Sequence, residues 1–289
     1  MDSYNLKKKE EFMNPGIGND DPSIYYYDSD YPSPAESLYP ENFDSITEYQ
    51  GLAFDIARYL GLVGEFGDPV LELCCGTGRV AVALARSGAE VTGVDVNPGM
   101  LEKFRNALKE EEPEVAKRVS LVEQDITQLI LEGKPFRTVI LAFNSLLCIP
   151  DFSGQCAALQ AASRHMTAGS RLFIDMVNPL QLNLGGDPVP KPFFTRKDKS
   201  TGETYTRFAM MGPMETDHKQ RLYGWYDQIT PEGLVKRRPY SLYWRPIFRF
   251  EMELMLRQAG LELIQIEGGH RKEPYTSQSP RMFIIAGMR

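Results

Sequence analysis

One stretch constrains the fold of this chain more than any other. Val70-Leu71-Glu72-Leu73-Cys74-Cys75-Gly76-Thr77-Gly78-Arg79-Val80 reads as a short apolar strand, a glycine turn and the start of a helix. Gly76 and Gly78 let the backbone turn tightly and approach a ligand, because a side chain there would take the ligand's space. The next apolar run, Val91 to Val94, ends on Asp95, where a carboxylate can accept hydrogen bonds from both hydroxyls of a ribose. Two successive strand ends thus aim at one nucleotide-like ligand.

Around this stretch strand and helix patterns alternate. Strands are predicted at Val70–Leu73, Val91–Val94, Val119–Glu123, Thr138–Phe143 and Arg171–Met176, with helices at Arg79–Ser87, Pro98–Glu110 and Ser153–Met166. Such alternation means parallel strands joined by crossovers, that is, a doubly wound α/β sheet. After Asn178-Pro179 the period shortens to two-residue alternation broken by Gly and Pro, over Phe193–Thr195, Tyr205–Met210, Leu222–Ile229 and Leu234–Leu242. These read as antiparallel hairpins inserted late in the fold. A helix at Arg249–Ala259 and strands at Glu262–Glu267 and Met282–Ala286 follow.

Four segments result: a flexible tail over 1–24, a Rossmann-like core with an N-terminal lid helix over 25–182, an antiparallel β insertion or lid over 183–246, and the rest of the core sheet over 247–289. The lid helix is expected around Ser45–Leu62, after an aromatic and acidic run at Tyr25–Tyr31.

Charge and cysteine content exclude some functions. With a net charge of -7 the chain repels polyanions, which argues against a nucleic-acid partner. No run approaches the ~18 apolar residues that cross a bilayer, and the first residues lack the apolar core of a secretion signal, so the cytoplasm is the expected location and no membrane partner is expected. The four cysteines lack metal-ligand spacing and read as small buried fillers; no metal is expected.

The glycine loop admits two ligands. Gly76-Thr77-Gly78-Arg79-Val80-Ala81 fits a dinucleotide fingerprint, which would make the chain a nicotinamide-dependent oxidoreductase. Glu72 argues the other way, since a carboxylate before the loop repels a pyrophosphate and attracts an ammonium group. S-adenosylmethionine carries such an ammonium and a cationic sulfonium. Asp125, after the third strand, is placed to accept from an adenine amino group while Ile126 packs on the ring.

At these residues the chain resembles the class I S-adenosylmethionine-dependent methyltransferases, through Glu72-Leu-Cys-Cys-Gly76-Thr-Gly78, Gly93-Val-Asp95-Val-Asn-Pro-Gly-Met100-Leu and Gln124-Asp125-Ile126. The resemblance spans about residues 45–178. It implies a seven-stranded sheet with an antiparallel last strand, S-adenosylhomocysteine as product, and cofactor contacts that include Val96, Met100 near the adenine, and Asn144 at the fourth strand end. The insertion is similar to the lid of small-molecule N-methyltransferases. Tyr27, Asp28 and Tyr31 resemble a Tyr-rich motif that closes over cofactor and substrate in related enzymes, and read equally as a segment packed by its rings.

Methyl transfer is a displacement at carbon, so alignment in a dry site matters more than a base. Asn144-Ser145-Leu146-Leu147 is not an Asn-Pro-Pro-Tyr run, which argues against methylation of nucleobase or glutamine amines. Trp225, Tyr226, Tyr243 and Trp244 are candidates for an aromatic wall around the acceptor, with Arg245 and Arg249 as candidates for an acidic substrate or for pairing with Glu251 and Glu253. Tyr31 and His270 are the catalytic candidates. His165 is expected exposed near a helix end, and His218 in a solvated turn.

The expected function is transfer of the methyl group of S-adenosylmethionine to nitrogen or oxygen of a small molecule, with a homodimer as a candidate assembly. Its rivals are the oxidoreductase and a protein that binds S-adenosylmethionine without transferring methyl.

Overall fold

The computed structural model of the chain describes residues 21–31, 52 and 54–289. In chain order its main elements are α1 (Asp55–Phe66), β1 (Val70–Leu73), α2 (Arg79–Arg86), β2 (Val91–Asp95), α3 (Pro98–Lys109), β3 (Val119–Glu123), β4 (Thr138–Leu141), α4 (Phe152–Arg164) and β5 (Arg171–Val177). Next come β6 (Lys191–Lys197), β7 (Thr204–Met211), β8 (Gln220–Ile229) and β9 (Val235–Trp244), then α5 (Arg249–Gln258), β10 (Leu261–Glu267) and β11 (Arg281–Met288). They form two units. One runs through Leu182 and resumes at Arg245; the other joins Asn183–Trp244 to the described residues up to Tyr31.

The first unit is a seven-stranded sheet in the order β10-β11-β5-β4-β1-β2-β3. β1, β2, β3, β4 and β5 are parallel to one another, and β11 runs antiparallel to both β5 and β10. β1 and β4 are buried along their whole length, as expected for central parallel strands covered on both faces. α1 packs on α2, and Ile56, Tyr59, Val80, Leu84, Phe173 and Phe283 belong to one buried cluster. α4 packs on α5 and on the helical turn Ile126–Gln128. The order of the strands reverses between β1 and β4, with β2 and β3 added on one side and β5 on the other, so the crevice at their carboxyl ends is where such a sheet takes a ligand.

The second unit is a four-stranded antiparallel sheet, β6-β7-β8-β9, with two short helical turns, Pro22–Tyr25 and Tyr27–Asp30, against it. Asp30 explains the attachment. It is 1% exposed and accepts from Tyr205 Oη (2.7 Å), Tyr226 Oη (2.7 Å) and Arg207 Nη1 (3.0 Å). The ring of Tyr26 stacks on Tyr226 at 4.5 Å and its hydroxyl donates to Gln228.

Several expectations change here. Residues 25–31, expected with the core, group with the antiparallel sheet because their buried carboxylate and rings find their partners there. Residues 21–24, expected in the tail, are part of a capped turn, with the Asp21 carboxylate at its start; residues 1–20, and the start of the helix expected at Ser45, lie outside the described residues. α1 itself begins at Asp55 and stops at Gly67, a left-handed residue. Cys148 is exposed rather than a buried filler. His165 is buried, because its Nε2 accepts from the Leu131 N–H at 2.9 Å, which leaves Nδ1 to donate to the Ala161 carbonyl at 2.7 Å. No helix among the described residues is long and apolar enough to cross a membrane.

Candidate functional site

The glycine loop is a run of left-handed backbone. Cys74 (φ 59°), Gly76 (φ 55°) and Gly78 (φ 88°) turn the chain from β1 into α2. The expected reason for Gly78, room for a ligand, is incomplete: a Cβ there would lie 2.2 Å from the Phe104 ring, so α3 also demands glycine. Gly76 donates its N–H to Asp95 Oδ2 at 2.8 Å, and Asn97 donates to Asp95 Oδ1 at 2.9 Å. One carboxylate at the end of β2 thereby fixes the loop after β1. Burial pushes the Asp95 carboxyl up, opposed by the backbone N–H groups of Asn97, Gly76 and Val96.

Glu72 lies beneath this loop, 2% exposed, and its Oε2 has no hydrogen-bond partner. Burial pushes its carboxyl up to about 8, with Arg79 and the Ala81 N–H pulling the other way. Arg79 does not neutralise it outright, since its guanidinium is bound to both oxygens of Asp55. Val96 is exposed. Met100 is half-buried and donates its N–H to the capping Asn97 at 3.1 Å. Asp125 is exposed and caps the turn at Ile126 by accepting from Thr127. The Ile126 side chain is buried in the turn that packs on α4, so the face expected to meet an adenine ring is already in the core.

Asn144 follows Phe143, and both are left-handed, at φ 66° and 42°. Non-glycine residues hold such angles only where their surroundings over-determine them, and such positions cluster at functional sites. Here Asn144 N–H donates to the Asp175 carbonyl at 2.9 Å, its Oδ1 accepts from Val177 N–H at 2.7 Å, and its carbonyl accepts from Leu147 at 2.9 Å. Asn144, expected as a cofactor contact, thus has its carbonyl engaged in the strand-end turn. Behind the corner, Arg281 lies over the Phe143 ring at 5.5 Å and donates Nε to Asp175 Oδ1 at 2.9 Å.

The candidate base His270 belongs to this buried group. Its Nε2 is 3.2 Å from Asp175 Oδ2, and its ring meets Phe283 edge-on at 5.6 Å. Burial opposes the charge of Asp175, but Arg281 and His270 outweigh it and hold the carboxyl below the usual range. His270, expected as a catalytic candidate, is thus a buried internal partner of a carboxylate. Arg245 is likewise committed: 5% exposed, it donates to Gln155 Oε1 at 2.9 Å and to Glu251 Oε1 at 2.5 Å. Arg249 pairs with Glu253 at 3.1 Å.

In the antiparallel unit the aromatic wall divides. Side chains alternate across a strand, and the register pairs Arg221 with Tyr243 and Gln220 with Trp244. Trp225 and Tyr243 therefore share one face, and Tyr226 and Trp244 the other. Trp225 stacks on Phe208 at 5.1 Å beneath Arg237 at 4.4 Å and donates to Asp227 at 3.0 Å, while Tyr226 is fully buried against Asp30. Tyr27 and Tyr31 are half-buried in this unit with their rings 4.7 Å apart. His218 is exposed at a left-handed turn.

Among the charged residues that escaped the sequence reading are Asp55, Arg79, Asp175 and Arg281. All are buried. Asp175 carried a signal, a lone charge within the apolar run Leu172-Phe173-Ile174-Asp175-Met176-Val177.

Residues 70–169 match the family model of a methyltransferase domain. The cypemycin N-terminal methyltransferase of a Streptomyces species is 26% identical over 224 residues, which cover 76% of this chain and 82% of that protein. In fold the chain is similar to the CcbJ methyltransferase of Streptomyces caelestis, with a TM-score of 0.70 and 23% identity over 87% of this chain and 95% of that one. It is similar too to CalS10, an amino pentose methyltransferase of Micromonospora echinaspora with S-adenosylmethionine bound, with a TM-score of 0.64 and 19% identity over 90% and 98%.

Proposed function

We propose that this chain, an S-adenosylmethionine-dependent methyltransferase with the class I fold, methylates an amine nitrogen of a small molecule. The observation that carries the cofactor reading is the clamp of Asp95 on the Gly76 N–H together with the buried Glu72, whose Oε2 has no hydrogen-bond partner. A pyrophosphate offers Glu72 no counter-charge and would oppose its ionisation, whereas an amino acid ammonium supplies the counter-charge of its carboxylate. The nicotinamide reading of the loop is thereby disfavoured.

The residues present fit the cofactor. Asp95 would take the ribose hydroxyls, each of its oxygens keeping a lone pair beyond the bond it accepts from the backbone. Val96 and Met100 would flank the adenine, Asp125 would accept from its amino group, and Ile126 would support that edge from within. The Gly76–Gly78 backbone would line the amino acid end. When bound, S-adenosylmethionine supplies an electrophilic methyl on a sulfonium. The chain's part is to hold the groups in line and exclude water.

Nitrogen is favoured over oxygen by what the histidines do. His165 and His270 are tied into the core, so neither is built in as a base for a hydroxyl. An amine needs only to arrive unprotonated. The relatives named for an N-terminal amine and for an amino pentose support the same choice.

The test pairs titration with transfer. S-adenosylmethionine and S-adenosylhomocysteine should bind and a nicotinamide dinucleotide should not. Methyl-labelled cofactor, offered with small amines, amino sugars and matched phenols, should label the amines. Label on hydroxyl acceptors alone would overturn the nitrogen assignment.

A further inference from the structure

Glu72 is a buried acid in an unusual position. Its Oε2 has no hydrogen-bond partner, it is 2% exposed, and among the described residues no cation forms an ion pair with it. The charged and titratable groups facing it come from each neighbouring element: Arg79 on α2, Asp55 on α1, Asp95 at the end of β2, and the thiols of Cys74 and Cys75 in its own loop. Arg79 is the one cation among these, and Asp55 holds both its terminal nitrogens. An isolated carboxylate in such surroundings is costly, and a group of this kind avoids the cost by taking up a proton.

We propose that Glu72 is protonated in the ligand-free protein and gives up that proton when the cofactor's ammonium arrives, so that cofactor binding is an exchange of one cation for another. The proposal rests on the reading of the glycine loop as the cofactor site. The exchange balances: the carboxylic acid loses its proton to the buffer, the carboxylate is left facing the ammonium, and the net charge of the pocket does not change. The bare carboxylate is expensive before binding and a bare ammonium would be expensive after it; each removes the other's cost.

With its carboxyl pushed up to about 8, Glu72 is mostly protonated at pH 7 and more fully so at pH 6.5. The cofactor's own amino group titrates near ~8, so the window of measurement lies below pH 7. There, binding should release close to one proton, and affinity should rise about tenfold for each unit of pH between 6 and 7.

The experiment is calorimetric titration of the full chain with S-adenosylmethionine and with S-adenosylhomocysteine at pH 6.5, in buffers of different ionisation enthalpy. Both ligands carry the ammonium and only the first carries the sulfonium. The expected result is about one proton released per ligand for both, and near zero for Glu72→Gln, whose side chain keeps the shape without the titration. Binding with no proton release overturns the proposal and leaves the site reading standing. Release with the sulfonium ligand only, or release that persists in Glu72→Gln, assigns the proton to another cause and also overturns it. If neither ligand binds the wild-type chain, the site reading fails and the proposal with it.

Discussion

Asp95 accepts two backbone hydrogen bonds and stands at the end of β2, so one side chain serves both the loop and the ribose. Asp95→Ala removes both functions, and the expected loss of cofactor affinity is about 1 to 3 kcal/mol. Calorimetry would read this as a rise in Kd of about five- to 150-fold, and an unchanged Kd would remove Asp95 from the site. Gly78 is a different case, since its demand comes from packing. Gly78→Ala places a methyl group in the Phe104 ring at a left-handed angle, and the expected cost is at least ~1 kcal/mol, seen as a melting temperature lower by several degrees. Removing the ring with Phe104→Ala would not restore the loss, because the backbone angle remains.

Among the elements, the strands and helices of the core were legible because each is an apolar pattern bounded by its own start or stop signal. Asn97 before Pro98 and Gly67 after Phe66 are examples. Glu72, Gly76, Gly78 and Asp95 could be singled out for the same reason, as breaks in apolar runs at strand ends. The attachment of the Tyr-rich segment was not legible, because the partners of Asp30 lie far away in sequence and nothing local distinguishes a buried aspartate from a solvated one. The same holds for His270, whose ordinary-looking loop conceals Asp175. The aromatic wall failed on register: consecutive Tyr243 and Trp244 must face opposite ways. At this scale Asp30→Ala should leave Arg207 buried without its ion pair and two phenols without their acceptor. The expected cost to the antiparallel unit is about 3 to 5 kcal/mol. Hydrogen exchange would show it as lost protection over residues 21–31 and in β7 and β8, and unaltered protection would refute the anchoring role.

For the molecule as a whole, two buried carboxylates of the core give opposite responses to pH. Glu72 binds its proton more tightly folded than unfolded, up to about 8 against an ordinary value of 4.5, so its contribution is intact below about pH 4.5 and is lost as pH rises through 8. Asp175 is held below the usual range, so its contribution is present above about pH 4 and is lost as pH falls beneath it. Urea titrations of the ligand-free chain from pH 5 to 9 should therefore show stability falling toward the alkaline side, with a shallower fall in Glu72→Gln. Equal slopes in the two proteins would show that another group controls this limb. The anchoring of Asp30 also has a consequence in time. Tyr226, one of its three partners, is 196 residues further along the chain. At about 5 to 20 residues per second, a ribosome needs on the order of ten to forty seconds to deliver it. Through that interval the Tyr-rich segment waits unburied, so a nascent chain stalled before β8 would present it to chaperones and proteases as bait.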